Sequence, residues 1–79
     1  MSRRQKAAGL PWSISARQEA ILQALCEDPN RTAKHLARML GCSHRTVSSH
    51  LERAHIAMEV STTLAAVLMY DRFRRRTQP

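Results

Sequence analysis

Seventy-nine residues allow one small core and leave no room beside it for a separate sensor or catalytic domain. Hydrophobic residues make up 43% of the chain and glycine occurs twice, too apolar for a disordered tail and too poor in turn residues for a many-stranded β fold, so helices are the default. The formal charge of +7 gathers at Arg3, Arg4 and Lys6, at Arg72, Arg74, Arg75 and Arg76, and at basic residues between Arg31 and Arg53, a field that favours a polyanion because each neutralised phosphate releases counterions.

In chain order, residues 1–12 have no period, contain Gly9 and Pro11 and are basic, so they read as a flexible arm that Trp12 tacks onto the core. Residues 13–76 read as the folded domain and 77–79 as a tail. The first helix is predicted to start at Ser15, which forms a capping-box pattern with Gln18. Ala16, Ala20, Ile21, Ala24 and Leu25 give its buried stripe, with Arg17 and Gln23 outside. Glu27-Asp28-Pro29-Asn30 ends it, since proline cannot continue the hydrogen-bond ladder. The second helix runs from a Thr32 cap to Leu40, with Leu36, Ala37, Met39 and Leu40 apolar. Gly41 then stands where a left-handed cap is wanted. Ser43 caps the third helix, about 43–58, in which Val47, Leu51, Ala54 and Met58 share a stripe while His44, Arg45, Ser48, Ser49 and Glu52 face elsewhere. After a Glu59-Val60 link, Ser61 is expected to cap a fourth helix. There Leu64, Val67 and Leu68 are expected to line the core, leaving Ala65, Ala66, Met69, Tyr70 and Phe73 as a second apolar surface for a partner. The whole reads as all-α with four helices.

Thr32 to Leu51 has the order that a helix-turn-helix needs. Ala37 is small where two helices cross, Gly41 allows the turn, and Leu36, Leu40, Cys42 and Val47 hold the second element against the first. In that motif the second helix enters the major groove of double-stranded DNA and its early residues reach base edges. Ser43, His44, Arg45, Ser48, Ser49 and Glu52 are thereby expected at the groove. Arg45 is suited to a bidentate pair with guanine and Glu52 to accepting from a cytosine amine. An equally good reading of Glu52 is a solvated acid pairing with Arg53 or His55.

The same residues resemble the LuxR-type helix-turn-helix domain of response-regulator outputs. Its opening Leu-Thr-x-Arg-Glu is matched by Ile14-Ser15-Ala16-Arg17-Gln18, its Ile-Ala-x-x-Leu by Leu36-Ala37-Arg38-Met39-Leu40, its Ser-x-x-Thr-Val-Lys-x-His by Ser43 to His50, and its Leu-x-Val by Met58-Glu59-Val60. The resemblance spans about Ile14 to Phe73. It implies phosphate contacts near Thr32, Lys34, Ser43 and Thr46, groove contacts near Arg45, Ser48, Ser49 and Glu52, and dimers on inverted half-sites through the fourth helix. Arg53 flanks this set. The chain departs from the pattern in a longer connection at Glu27-Asp28-Pro29-Asn30, in Ser48 and Glu52 where lysine and a basic or polar residue are common, and in Glu59 where glycine is usual, which leaves that last turn's geometry open.

Cys26 and Cys42 lie far apart, outside any Cys-x-x-Cys pair, and read as reduced core thiols; no metal or cofactor is expected. His35, His44, His50 and His55 have no carboxylate or nucleophile in a recognisable arrangement, and Ser48-Ser49-His50 is not a triad, so no enzyme is expected. Without a membrane span or a secretory signal, the expected location is the cytoplasm, on the bacterial nucleoid when DNA is bound. Two rival readings share the fold. One is the promoter-binding region of a sigma factor, suggested by Thr46 to Ala54. The other is a protein-binding module that grips another regulator or RNA polymerase through its fourth helix and arginine-rich end.

Overall fold

A computed structural model of the chain describes residues 10–77; most of the arm expected over residues 1–12, and residues 78 and 79 of the expected tail, lie outside them. Four helices follow in order: α1 (Ala16–Glu27), α2 (Ala33–Leu40), α3 (His44–Met58) and α4 (Thr63–Thr77). No β-strand occurs among the described residues.

Each of the first three helices begins where a side chain satisfies a free backbone amide. The Ser15 hydroxyl accepts from the Gln18 amide at 3.1 Å and the Gln18 side chain accepts from the Ser15 amide at 2.9 Å, so the capping box is complete. Thr32 accepts from the His35 amide at 3.1 Å and Ser43 from the Thr46 amide at 3.0 Å. The fourth cap differs from expectation. Thr62, not Ser61, takes it, accepting from the Ala65 amide at 3.1 Å. At the other end of α1, Arg31 folds back and donates to the Ala24 carbonyl at 2.8 Å while lying 3.5 Å from Glu27. One of the positive charges that sequence alone offers to a polyanion is thus spent on capping a helix.

The core lies where α1 meets α3 and α4, with α2 packed on α3. Ile14, Ile21, Leu22, Leu36 and Val47 are its largest fully enclosed side chains, each worth roughly 1.5–3 kcal/mol of burial. Ala24, Leu25, Ala37, Ala54 and Met58 complete the α1, α2 and α3 contributions. The α1 stripe is shifted from the expected one: Ala16 is exposed, and Leu22 and Gln18 are buried instead. Gln18 enters because its amide is held by the capping box. Met39 is half exposed rather than buried.

The largest correction concerns α4: of the three residues expected to line the core, Val67 does so and Leu64 and Leu68 do not. Ala66, Val67 and Tyr70 are buried, whereas Leu64 and Leu68 are 64% and 55% exposed. Two specific contacts fix the rotation. The Tyr70 hydroxyl donates to Glu19 Oε2 on α1 at 2.7 Å, and Phe73 meets Trp12 edge to face at a centroid distance of 5.5 Å. Ala66, with no side-chain bulk, lets α4 approach its neighbours closely. Of the surface expected to receive a partner, Ala66 and Tyr70 therefore belong to the chain's own core, Met69 is partly buried against it, and Ala65 and Phe73 are half-buried.

Candidate nucleic-acid interface

The helix-turn-helix is built from α2, α3 and the turn between them. Gly41 adopts φ 67° and ψ 37°, a left-handed conformation that glycine takes without Cβ strain. The Cys42 amide closes the turn on the Ala37 carbonyl at 3.0 Å. Leu36, Ala37 and Val47 are buried between the two helices. Arg17 reaches across from α1 and donates to the Leu40 carbonyl at 3.5 Å, joining the first turn of α1 to the end of α2. These contacts fix how α3 stands out from the body.

A helix of 15 residues is roughly 22 Å long and can present one stripe to a partner. Val47, Ala54 and Met58 face inward, with Leu51 partly buried. Arg45, Ser49, Glu52 and Ile56 follow one another at spacings of four, three and four residues, which stacks them on the opposite face. All four are exposed, as are Ser43, His44, Ser48 and Arg53. Of the expected groove residues, Arg45, Ser49 and Glu52 share this stripe, Ser48 lies beside it, and Ser43 and His44 stand at the N-terminal end of α3. Thr46 is half-buried, its hydroxyl 2.8 Å from that of Ser43. Thr32 and Lys34 are exposed at the start of α2, with the Thr32 hydroxyl engaged in the cap. Ile56, 73% exposed, was not singled out from the sequence; its place on the stripe was readable from its spacing to Glu52.

Charge on this side is nearly all positive. Between Arg31 and Arg53 the single carboxylate is Glu52. Among the described residues, ion pairs involve only Arg31, Arg74 and Arg75, so Lys34, Arg38, Arg45 and Arg53 keep their full charge toward solvent. His50 sits on the flank of α3 with its Nδ1 buried and without a hydrogen-bond partner among the described residues. Burial, then the neighbouring charges of Arg17 and Arg53, hold this imidazole below its ordinary pKa of 6.5 and favour the neutral ring. No group of three or more His, Cys, Asp or Glu side chains among the described residues is placed to hold a metal ion.

The link after α3 closes the same way as the turn before it. Glu59 adopts φ 59° and ψ 45°, and the Val60 amide donates to the His55 carbonyl at 3.0 Å. Glutamate here takes up the left-handed conformation that a glycine would adopt freely, so the link closes although Glu59 carries a Cβ.

Compared with known families, residues 12–70 match the bacterial regulatory proteins of the luxR family. The chain belongs to that family. This match covers most of the chain and spans the capping box, the helix-turn-helix and the first half of α4. A luxR-family domain is a DNA-binding regulatory unit and not an enzyme fold. No curated protein and no solved structure matches the chain. No helix among the described residues is long and apolar enough to cross a membrane.

Proposed function

We propose that this luxR-family chain binds double-stranded DNA sequence-specifically, with α3 in the major groove, and regulates transcription from such sites. The observation that carries this reading is the exposed Arg45–Ser49–Glu52–Ile56 stripe, propped by α2 across a closed turn and flanked by cations with no carboxylate partner. Arg45 reads guanine through two donors, Glu52 takes a cytosine amine, and Ile56 is fitted to the thymine methyl group. Ser48, Ser49 and His44 complete the groove side. Thr32, Lys34, Ser43, Thr46 and Arg53 hold the phosphates and carry no sequence information. The amide end of α3 adds its partial positive charge at Ser43.

Titration of the full chain on a selected duplex and on a scrambled one, at several salt concentrations, tests the assignment. Arg45→Ala is expected to weaken the selected site by roughly 1–3 kcal/mol and to narrow the gap to the scrambled duplex. Lys34→Ala is expected to weaken both alike and to lower the salt slope by about one. An Arg45→Ala protein that keeps its specificity ratio, or a parent chain with no salt dependence, argues for the protein-binding reading instead.

The chain also pairs with a second copy, in this reading, through α4. Leu64 and Leu68 lie one turn apart and exposed, and a two-fold pairing of such faces sets two recognition helices on inverted half-sites. A patch of two leucines is small beside the roughly 1,000 Å² of a stable interface. The pairing is weak in solution and completed on DNA.

A further inference from the structure

α4 ends in a run of arginines whose members are not equivalent. Asp71 is the sole carboxylate side chain after Glu59, and it is taken by two of them: Arg74 Nη2 lies 3.1 Å and Arg75 Nε 2.8 Å from its oxygens. At 100° per residue these three fall on one flank of α4, while Arg72 and Arg76, four residues apart, fall on the other. Both Arg72 and Arg76 are exposed, and no carboxylate among the described residues pairs with either. Together with Pro11, Trp12, Met69 and Phe73 they line an open cleft of about 230 Å³. Its apolar floor is the edge-to-face pair of Trp12 and Phe73, with their planes 65° apart, and Met69 beside them.

We propose that this cleft docks an acidic segment of a partner protein, which seats one apolar side chain against Trp12, Phe73 and Met69 and sets flanking carboxylates on Arg72 and Arg76. The inference goes beyond the DNA-binding reading and does not rest on it. Three observations select the partner. Two unpaired guanidinium groups one turn apart call for anionic groups at a similar spacing. A duplex brings phosphates but keeps its bases stacked, so it leaves the aromatic floor unused. A volume of about 230 Å³ falls below the roughly 300–1,000 Å³ of sites that enclose a small molecule, yet it accepts one large side chain. Aromatic and arginine lining is also the composition of energetically dominant protein contacts.

Trp12 is the single tryptophan of the chain, so its fluorescence reports directly on the cleft. The full chain is titrated with a blocked peptide of alternating glutamate and aspartate around a central phenylalanine, with a control carrying serine in place of the phenylalanine, and with oligothymidylate. A saturable change in Trp12 emission with the phenylalanine peptide is expected, and about tenfold weaker binding of the serine control, from the lost apolar burial. The Arg72→Ala/Arg76→Ala double variant is expected to bind the phenylalanine peptide about tenfold more weakly, from the lost charge-assisted hydrogen bonds. Its helical circular dichroism should stay unchanged. Equal binding of the two peptides, tighter binding of oligothymidylate, or an unaffected double variant would each overturn the proposal.

Discussion

Two residues carry a measurable cost for the geometry around α3. Glu59 holds a left-handed backbone, in which a side chain bearing a Cβ is strained by about 1–2 kcal/mol, while glycine gives back about 0.5–1 kcal/mol through its freer unfolded chain. Glu59→Gly is therefore expected to raise the unfolding midpoint by a few degrees, the effect of roughly half to one kcal/mol in a domain of this size. An unchanged or lower midpoint would count against strain at that link. His50 sets a pH dependence whose sign follows from its depressed pKa. Below the ordinary value of 6.5 the unfolded chain takes up a proton that the folded ring, pressed by burial and by Arg17 and Arg53, resists. Stability contributed by the neutral ring is thus full above pH 6.5 and declines as the pH falls from there through the folded value. Denaturant midpoints measured from pH 7.5 downward should drop more steeply for the parent than for His50→Gln, and parallel curves would refute the assignment. The caps of the first three helices were legible in the sequence, whereas the fourth fell one residue later, at Thr62 and not Ser61. Ser15 with Gln18, Thr32, Gly41 and Ser43 act within a few residues of themselves, so nothing distant can override them. Arg31 was not, because its carbonyl partner at Ala24 exists only once α1 has ended.

At the scale of the element, α4 separates what a single helix can announce from what its neighbours decide. From Leu64 to Tyr70 it carries apolar side chains at every position, so spacing alone names no unique stripe. The choice falls to α1, which offers Glu19 to the Tyr70 hydroxyl and closes over Ala66. In α3 polar residues break the run, and the outward face could be read directly. The burial of Ala66 in place of Leu64 makes a clear prediction for stability. Ala66→Leu forces bulk into a fully enclosed position and is expected to cost about 1–3 kcal/mol. Leu64→Ala removes an exposed side chain and is expected to stay within about 0.5 kcal/mol of the parent. Chemical denaturation of the two variants decides between the faces, and the reverse ranking would place Leu64 and Leu68 beside Val67 in the core.

For the whole molecule, the arrangement separates three surfaces. In the proposed reading the α3 stripe and its cations are assigned to DNA, the Leu64–Leu68 face of α4 to a second copy, and the Arg72–Arg76 cleft to an acidic segment. Pairing through α4 predicts that Leu64→Glu with Leu68→Glu leaves binding to a single half-site intact while abolishing the cooperative gain on two inverted half-sites. A titration on both duplexes reads this directly, and a double variant that keeps its cooperativity would move the interface elsewhere.

Cys26 and Cys42 are both free and both half-buried, but they guard different seams. The Cys26 thiol lies 3.8 Å from the Val67 carbonyl across the contact of α1 with α4, and burial raises its pKa; Cys42 follows the glycine of the turn between α2 and α3. Each sulfur is expected to react faster with an alkylating reagent when its own seam parts. Their two modification rates therefore act as independent clocks on one small body, and would tell whether the groove-reading half loosens on its own or only when the entire bundle comes undone.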